Sequence, residues 1–159
     1  MPVVMVRAAL LVGAIILVMT PAMLAPTSES LQVRTSAGVV VWCTPVNQGD
    51  TVQLQFTHSM YGGYVREQWL VTSNLQLERI WFVTENAAAA EYYATDGSSY
   101  KAEDGYVVPI GLLVEPELVV RVNSRGNHIL TVDDQSVNLA ELIAISAQVR
   151  ITVERESCP

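Results

Sequence analysis

Basic residues are scarce in this chain of 159 residues, which has 9 lysines and arginines against 16 aspartates and glutamates and a net charge of −7. Without Arg7, which precedes the apolar segment described below, the rest of the chain carries −8. Proteins that bind nucleic acids or anionic lipid surfaces present basic stripes or clusters. The acidic residues form no run of like charge, so they predict a dispersed, solvated surface. The charge pattern therefore argues against binding to nucleic acid and against docking onto anionic headgroups.

Cysteine and histidine are also scarce, with two residues of each type. Cys43 and Cys158 lie too far apart for the CxxC spacing of metal sites. In an oxidising compartment they predict one disulfide, and closing its loop of roughly 115 residues would contribute about 4–5 kcal/mol to stability in the chain-entropy model. The alternative is a buried Cys43 and an unpaired Cys158. Asp133-Asp134 lacks the regular spacing of a calcium-binding loop, so a turn is expected there.

One long uncharged segment is present, AALLVGAIILVMTPAMLA, which spans residues 8–25 between Arg7 and Glu29. Its 18 residues reach the lower limit for a membrane-spanning helix and exceed the core of most signal peptides. Met23 occupies a position where signal peptidase prefers a small residue before a cut after Ala25. We therefore expect an uncleaved anchor, with a removed signal peptide or a buried core helix as the alternatives.

This segment sets the predicted organisation of the chain. Residues 1–30 are expected to form the membrane anchor or signal segment with a short linker, and residues 31–159 a single β-domain. Arg7 gives a positive-inside signal, which places the β-domain on the extracytoplasmic side. The predicted location is the cell membrane, crossed once through residues 8–25.

Beyond residue 30, short segments rich in β-branched and aromatic residues alternate with turn signals. The predicted strands are LQVR, GVVVWCT, DTVQLQFTH, YVREQWLVT, LQLERIWFVT, ELVVRV, NHILTV and AQVRITVER. They predict an all-β fold, a sandwich or partly open barrel of about eight short, mainly antiparallel strands. SVNLAELIA, residues 136–144, predicts one or two helical turns with Ser136 or Asn138 near the cap. NAAAAEYY, residues 86–93, fits a helix by propensity and an extended connection by position.

The segment FTHSMYGGYVREQW, residues 56–69, predicts a β-hairpin with two polar residues on its apolar face. His58 and Glu67 continue the inward-facing sets of the two strands, which are Val52, Leu54 and Phe56 in the first and Val65, Trp69 and Val71 in the second. A two-residue Gly62-Gly63 turn would pair residues whose numbers sum to 125. That register places His58 directly opposite Glu67, at a site where side chains approach closely.

The predicted His58–Glu67 pair has two interpretations. In the first, Glu67 only satisfies a buried histidine at the end of the core. In the second, the pair borders an opening and binds a polar or anionic ligand group, because a carboxylate favours the charged imidazole and fixes its tautomer. Further ligand-binding candidates are Ser59 and Arg66, a rim on the opposite face, and Tyr92 and Tyr93, which follow the alanines. Tyr61 and Tyr64 either cover the hairpin tip or form a recognition surface.

The sequence supports no catalytic arrangement. Ser59 is adjacent to His58 on a strand, so their side chains point to opposite faces, whereas a serine nucleophile must contact its base. His58, His128 and Glu67 are ligand types that suit zinc, but no local spacing supports a metal site. We therefore expect no enzymatic activity, no cofactor and no bound metal.

The hairpin segment resembles the signature of a bacterial and archaeal family known as a domain of unknown function. Its pattern is an apolar strand that ends in His-Ser, a short variable stretch, and a Glu followed by an aromatic residue. The matching residues are His58, Ser59, Glu67 and Trp69, and later His128 and Leu130 match a His-x-Leu element. The resemblance covers about residues 38–142. The chain departs from the pattern at Met60, where valine is usual, and in AAAAEYY, where many members have glycines.

Members of that family are small, usually begin with a membrane or export segment, and often have genes beside those of TRAP-type transporters. The resemblance implies an accessory part in solute uptake, with a TRAP-type membrane subunit or a small polar or anionic solute as the partner. The predicted function is therefore that of a membrane-tethered extracytoplasmic accessory or binding domain with His58 and Glu67 at its polar centre. The alternative is a purely structural, transporter-associated subunit without a ligand that contacts its partner through the hairpin tip, and a metal-binding protein or a hydrolase is a further alternative.

Overall fold

The computed structural model describes residues 28–94, 98–108 and 113–159. The predicted membrane segment at residues 8–25, with the helix expected there, lies outside the described residues. Within those three ranges, no helix has the length and apolar character needed to cross a membrane.

The described residues contain twelve strands and two short helices. The first seven elements are β1 (Glu29–Thr35), β2 (Val40–Val46), β3 (Thr51–Thr57), β4 (Tyr64–Val71), β5 (Leu77–Thr84), α1 (Ala87–Tyr93) and β6 (Tyr100–Ala102). The others are β7 (Gly105–Val108), β8 (Leu113–Glu115), β9 (Glu117–Arg121), β10 (Ile129–Val132), β11 (Gln135–Asn138), α2 (Leu139–Leu142) and β12 (Gln148–Glu154). This composition confirms the predicted all-β class.

The strands form two antiparallel sheets. The first has the order β2-β1-β12-β9, and the second the order β11-β10-β3-β4-β5-β7-β6, with β8 also paired to β5. Inward side chains of both sheets share a core, to which β1 and β12 contribute Leu31 and Ile151 and the second sheet contributes Val52, Leu77 and Leu130. Each of these side chains is fully buried, which contributes roughly 1.5–3 kcal/mol relative to exposure. A core between two sheets defines a sandwich.

The alternation of β3 and β4 holds, but the predicted register between them is wrong. Glu67 lies opposite Leu54, and Thr51 lies opposite Leu70. The numbers of paired residues therefore sum to 121 instead of 125. His58 follows β3 and closes a longer loop, since its N–H donates to the Gly63 carbonyl and its carbonyl accepts from Gly62. Four residues of strand, roughly 13 Å, therefore separate the level of His58 from that of Glu67. Both side chains stay on the inner face because a shift of four residues preserves the alternation.

Local contacts of the loop explain the longer connection. The Nδ1 atom of His58 accepts hydrogen bonds from the backbone N–H groups of Met60 and Tyr61, at 3.2 and 3.1 Å. Side chains that bond to nearby backbone in this way stabilise turns in place of ladder pairing. Gly62 and Gly63 both have positive φ, at 65° and 71°, which glycine adopts without steric cost. They end a connection of six residues, 58–63, instead of forming the centre of a two-residue turn.

The alanine segment forms the helix α1, as propensity favours. Asn86 is its N-cap, and its side-chain oxygen accepts from the N–H groups of Ala88 and Ala89. The Asn86 side-chain amide also donates to the Tyr61 carbonyl at 2.9 Å, which joins the start of the helix to the hairpin loop. The second helix, α2, is a single turn capped by Asn138.

The C-terminal segment crosses the outer face of β1 and ends on β2. Cys158 forms a disulfide with Cys43, so the predicted bridge is present. Before it, Glu156 accepts hydrogen bonds from Gln32 and Arg34 through one carboxylate oxygen and from Ser30 through its backbone carbonyl. This crossing explains why Gln32, a polar residue on the outer face, is only 1% exposed.

Candidate binding site

Glu67 lies on the inner face of β4, near the centre of the second sheet. Its strand neighbours are Leu54 on β3 and Phe82 on β5, both apolar. The carboxylate Oε1 lies 3.6 Å from Nη1 of Arg79, and both side chains are largely buried. An acidic residue at this depth needs such a partner, because burying an unpaired charge is costly.

A β-bulge brings Arg79 to the inner face. The pairing of β4 with β5 shifts between Gln68 and Trp69, which pair with Trp81 and Arg79. Ile80 is the extra residue, so the alternation of β5 reverses at this point. Arg79 consequently lies on the same face as Phe82, and its guanidinium carbon lies 5.4 Å from the centre of the Trp69 ring.

The environment of Glu67 favours its neutral form. Burial raises the pKa of the Glu67 carboxyl above its ordinary value of 4.5 and is the largest influence on it. The positive charge of Arg79 lowers that pKa and opposes the effect of burial. The indole N–H of Trp69 makes no hydrogen bond to a described residue, so Arg79 is the main group that opposes burial.

Tyr93, at the end of α1, extends this polar centre. Its ring packs against Phe82 with the ring centres 4.4 Å apart, and it meets the His58 ring edge-on at 6.0 Å. Burial raises the pKa of the Tyr93 hydroxyl, and the negative charge of Glu67 raises it further. Tyr93 is therefore within electrostatic reach of Glu67 and packs against His58 as well.

A cavity of about 210 Å³ opens beside Glu67, between β9 and the inner face of the second sheet. Its polar lining groups are Glu67, Arg121 and His128, and its apolar ones are Leu54, Phe56, Val119 and Val120. A second space of about 320 Å³ continues along β9, lined by Glu67, Trp69, Glu115 and Glu117 among others. Glu67 borders both spaces, so it can contact a molecule that enters along β9.

His128 lines the smaller cavity with its imidazole ring. The residue is 6% exposed, and its ring stacks on Phe56 with the centres 5.7 Å apart. Its Nδ1 is buried and has no hydrogen-bond partner within the described ranges. Burial lowers the pKa of the His128 imidazole, so the neutral ring is favoured. Because Nδ1 is enclosed against Gly126, the ring nitrogen that a ligand in the cavity can reach is Nε2, which accepts a hydrogen bond when Nδ1 carries the ring proton.

Gly126 makes room for the His128 ring. A Cβ atom at residue 126 would lie 2.5 Å from Nδ1 of His128 and still closer to Cε1. The ring is buried against Phe56 and cannot swing freely into solvent. We predict that Gly126→Ala lowers the free energy of unfolding by about 1–3 kcal/mol through overpacking, as measured by urea denaturation.

His128→Ala provides the control for that prediction, since it removes the ring that the new methyl group would meet. In the His128→Ala background, Gly126→Ala should cost less than half of what it costs in the natural sequence. Equal costs in the two backgrounds would contradict the proposed contact between residues 126 and 128.

The predicted ligand-binding residues do not all meet. Glu67 and Tyr93 lie together, and His58 joins them only through its ring contact with Tyr93. Ser59 is exposed in the loop, and Nδ1 of His58 is occupied by backbone N–H groups rather than by the Ser59 hydroxyl. Tyr92 is 66% exposed and packs against Tyr61 and Tyr93. Arg66 lies on the outer face of the sheet, away from Glu67.

Two residues of the site were missed by the sequence interpretation. Arg79 was assigned to no face, because the bulge that turns it inward is visible only in the register of β4 with β5. Arg121 lies at the mouth of the cavity, because it is an exposed residue at the end of β9, the edge strand of the opposite sheet, and no local pattern indicates that. Among the described residues, no three histidine, cysteine or acidic side chains are placed to hold a metal ion.

Comparison of the chain with protein-family models, curated proteins and solved structures gave no match. The resemblance to the family with the His-Ser…Glu signature therefore stays a prediction.

Proposed function

We propose that this protein is a membrane-tethered, extracytoplasmic binding domain that assists TRAP-type solute uptake by holding a small solute beside Glu67. The cavity that Glu67, His128 and Arg121 line together is the observation that carries the proposal. The Cys43–Cys158 disulfide supports an oxidising, extracytoplasmic compartment. The apolar segment at residues 8–25 supports the tether.

The polar groups of the cavity favour a small hydroxy acid. Glu67 is an acceptor on the inner side, and Nε2 of His128 accepts when Nδ1 carries the ring proton, so both suit a hydroxyl group that donates hydrogen bonds. Arg121 at the exposed strand β9 suits a carboxylate. Because water occupies roughly 30 Å³ per molecule, the cavity has the volume of about seven waters, which limits the solute to a few carbon atoms.

A thermal-shift titration of the full chain in detergent tests this function. We expect lactate to stabilise the protein and propionate, which lacks the hydroxyl, to do so far less. A ligand at 100 times its Kd stabilises by about 2.7 kcal/mol. His128→Phe preserves the ring that stacks on Phe56 but removes the acceptor, so it should abolish the difference between the two acids. The matched control is Arg66→Gln on the outer face, which should retain that difference.

A purely structural, transporter-associated subunit is the second candidate function. It is favoured by exposed apolar groups at the hairpin tip and on the neighbouring helix α1, where Met60 is 74% exposed and Tyr92 is 66% exposed. The ring of Tyr61 lies 6.3 Å from that of Tyr92, so these groups form one surface. If no small acid stabilises the chain, and if Met60→Ser with Tyr92→Ser breaks its association with a TRAP-type membrane subunit, the structural function replaces the binding function.

A further inference from the structure

The outer face of the second sheet carries a larger cleft, of about 600 Å³, which is separate from the Glu67 cavity. Arg66 is adjacent to Glu67 on β4, and neighbouring residues on a strand point to opposite faces. The cleft lies where β4 and β5 meet β6 and β7, and its lining combines Arg66 with an acidic turn and an apolar wall.

Arg66 lies in this cleft without a charged partner. Its guanidinium carbon lies 5.5 Å from the centre of the Trp81 ring and 6.0 Å from that of Tyr64, so two aromatic rings hold it by cation–π contacts. Its Nε is buried and makes no hydrogen bond to any described residue. Within the same ranges, the ion pairs involve Arg34, Arg79 and Arg150, and Arg66 has none.

Two carboxylates line the same cleft but do not neutralise Arg66. Glu103 and Asp104 form the turn between β6 and β7, and neither forms an ion pair with a described basic residue. The Tyr64 hydroxyl donates a 2.8 Å hydrogen bond to the Asp104 carbonyl, which fixes this turn beside Arg66. The cleft therefore presents positive and negative groups that form no ion pair with each other.

An apolar wall joins these charges. Trp81 and Val83 on β5 and Val107 on β7 line the cleft, and Ile80 is 37% exposed there because the bulge displaces it. Tyr100, which is 56% exposed, also lines the cleft. An apolar body of four or more carbon atoms fits this volume easily.

We infer that this cleft binds an amino acid with an apolar side chain in its zwitterionic form. The ligand carboxylate would pair with Arg66, because a guanidinium binds a carboxylate through two parallel hydrogen bonds. The ammonium would pair with Asp104 or Glu103, and the side chain would pack on Trp81 and Ile80. A simple anion would leave the acidic turn unpaired, and a simple cation would leave Arg66 unpaired, so both fit less well than a zwitterion.

Calorimetric titration of the full chain with L-leucine tests this inference. Three analogues each remove one contact: N-acetyl-L-leucine lacks the ammonium, L-leucinamide lacks the carboxylate, and glycine lacks the apolar body. We expect each analogue to bind at least about tenfold more weakly than leucine, because each loses a charge-assisted or apolar contact. Equal binding of leucine and its N-acetyl form would overturn the zwitterion and leave an anion site.

Variants locate the site. Arg66→Gln should weaken leucine binding by at least about tenfold, as should Asp104→Asn combined with Glu103→Gln. Arg66→Lys keeps the charge without the planar fork, and should bind with intermediate affinity. The control is Arg121→Gln, in the Glu67 cavity, which should leave leucine binding unchanged. Leucine binding of undiminished affinity by Arg66→Gln would refute the site. If the natural protein binds leucine but not lactate, only the function proposed above is refuted.

Discussion

Replacing both Cys43 and Cys158 by alanine should produce the largest loss of stability of any change considered for this protein. The bridge spans 115 residues, nearly the whole β-domain, and a loop of that length corresponds to about 4–5 kcal/mol in the chain-entropy model. For a domain of this size, that loss should lower Tm by roughly 10–20 °C. Circular dichroism during thermal unfolding, with urea denaturation for the free energy, measures both values.

The structure indicates where the loss should first appear. The bridge holds the C-terminal segment over β1, where Glu156 contacts Ser30, Gln32 and Arg34. Without it, hydrogen exchange should increase at Gln32 and at the strand pair β1–β2 before it increases in β3 and β4. Reductant should lower the Tm of the natural protein and leave that of the double-alanine variant unchanged. A loss of stability under about 1 kcal/mol, well below the usual 2–5 for such bridges, would contradict this role.

Residue patterns predict the face of each strand in this domain better than the register between strands. Alternation of apolar and polar residues assigned Val65, Glu67, Trp69 and Val71 to the inner face of β4, and all four are buried there. Register depends on the loop, and the loop depends on contacts that a pattern does not contain. The two N–H groups that bind Nδ1 of His58, and the Asn86 amide that binds the Tyr61 carbonyl, stabilise the longer connection.

The candidate site could be predicted only in part for the same reason. Glu67 was recognisable because a charged residue interrupts an apolar set. The expected two-residue turn made His58 its partner, whereas a bulge at Ile80 places Arg79 beside Glu67 instead. His128 and Arg121 reach the cavity through the packing of two sheets, and that arrangement has no signal in sequence spacing. The pairing of Cys43 with Cys158 was predictable because only two cysteines exist.

Arg79→Met should lower the free energy of unfolding by about 2–3 kcal/mol at pH 7. Methionine keeps an apolar stem against Trp69, so the change mainly removes the charge beside Glu67. Breaking one side of a buried ion pair typically costs about 3–5 kcal/mol, because it leaves the other charge unpaired. The 3.6 Å separation indicates a weaker pair than the ideal, so we expect a value below that range. Urea denaturation measures the change.

The pH dependence distinguishes this electrostatic cause from a packing defect. Burial raises the pKa of Glu67 in the folded state above its ordinary value of 4.5. The stability that the protonated Glu67 contributes is therefore present in full below pH 4.5, and it is lost as the pH rises through the raised pKa of the folded state. Arg79 lowers this pKa, so Arg79→Met should raise it further and should cost more stability at pH 7 than at pH 4.

His128 also makes stability depend on pH, because its lowered pKa means that stability is lost on acidification. This loss is common to all variants and cancels in the differences between them. Glu67→Gln removes the titrating group, so adding Arg79→Met to Glu67→Gln should cost little at either pH. If Arg79→Met costs the same at both pH values, with or without Glu67→Gln, the role of Arg79 lies in packing and Glu67 has no charged partner in the folded protein.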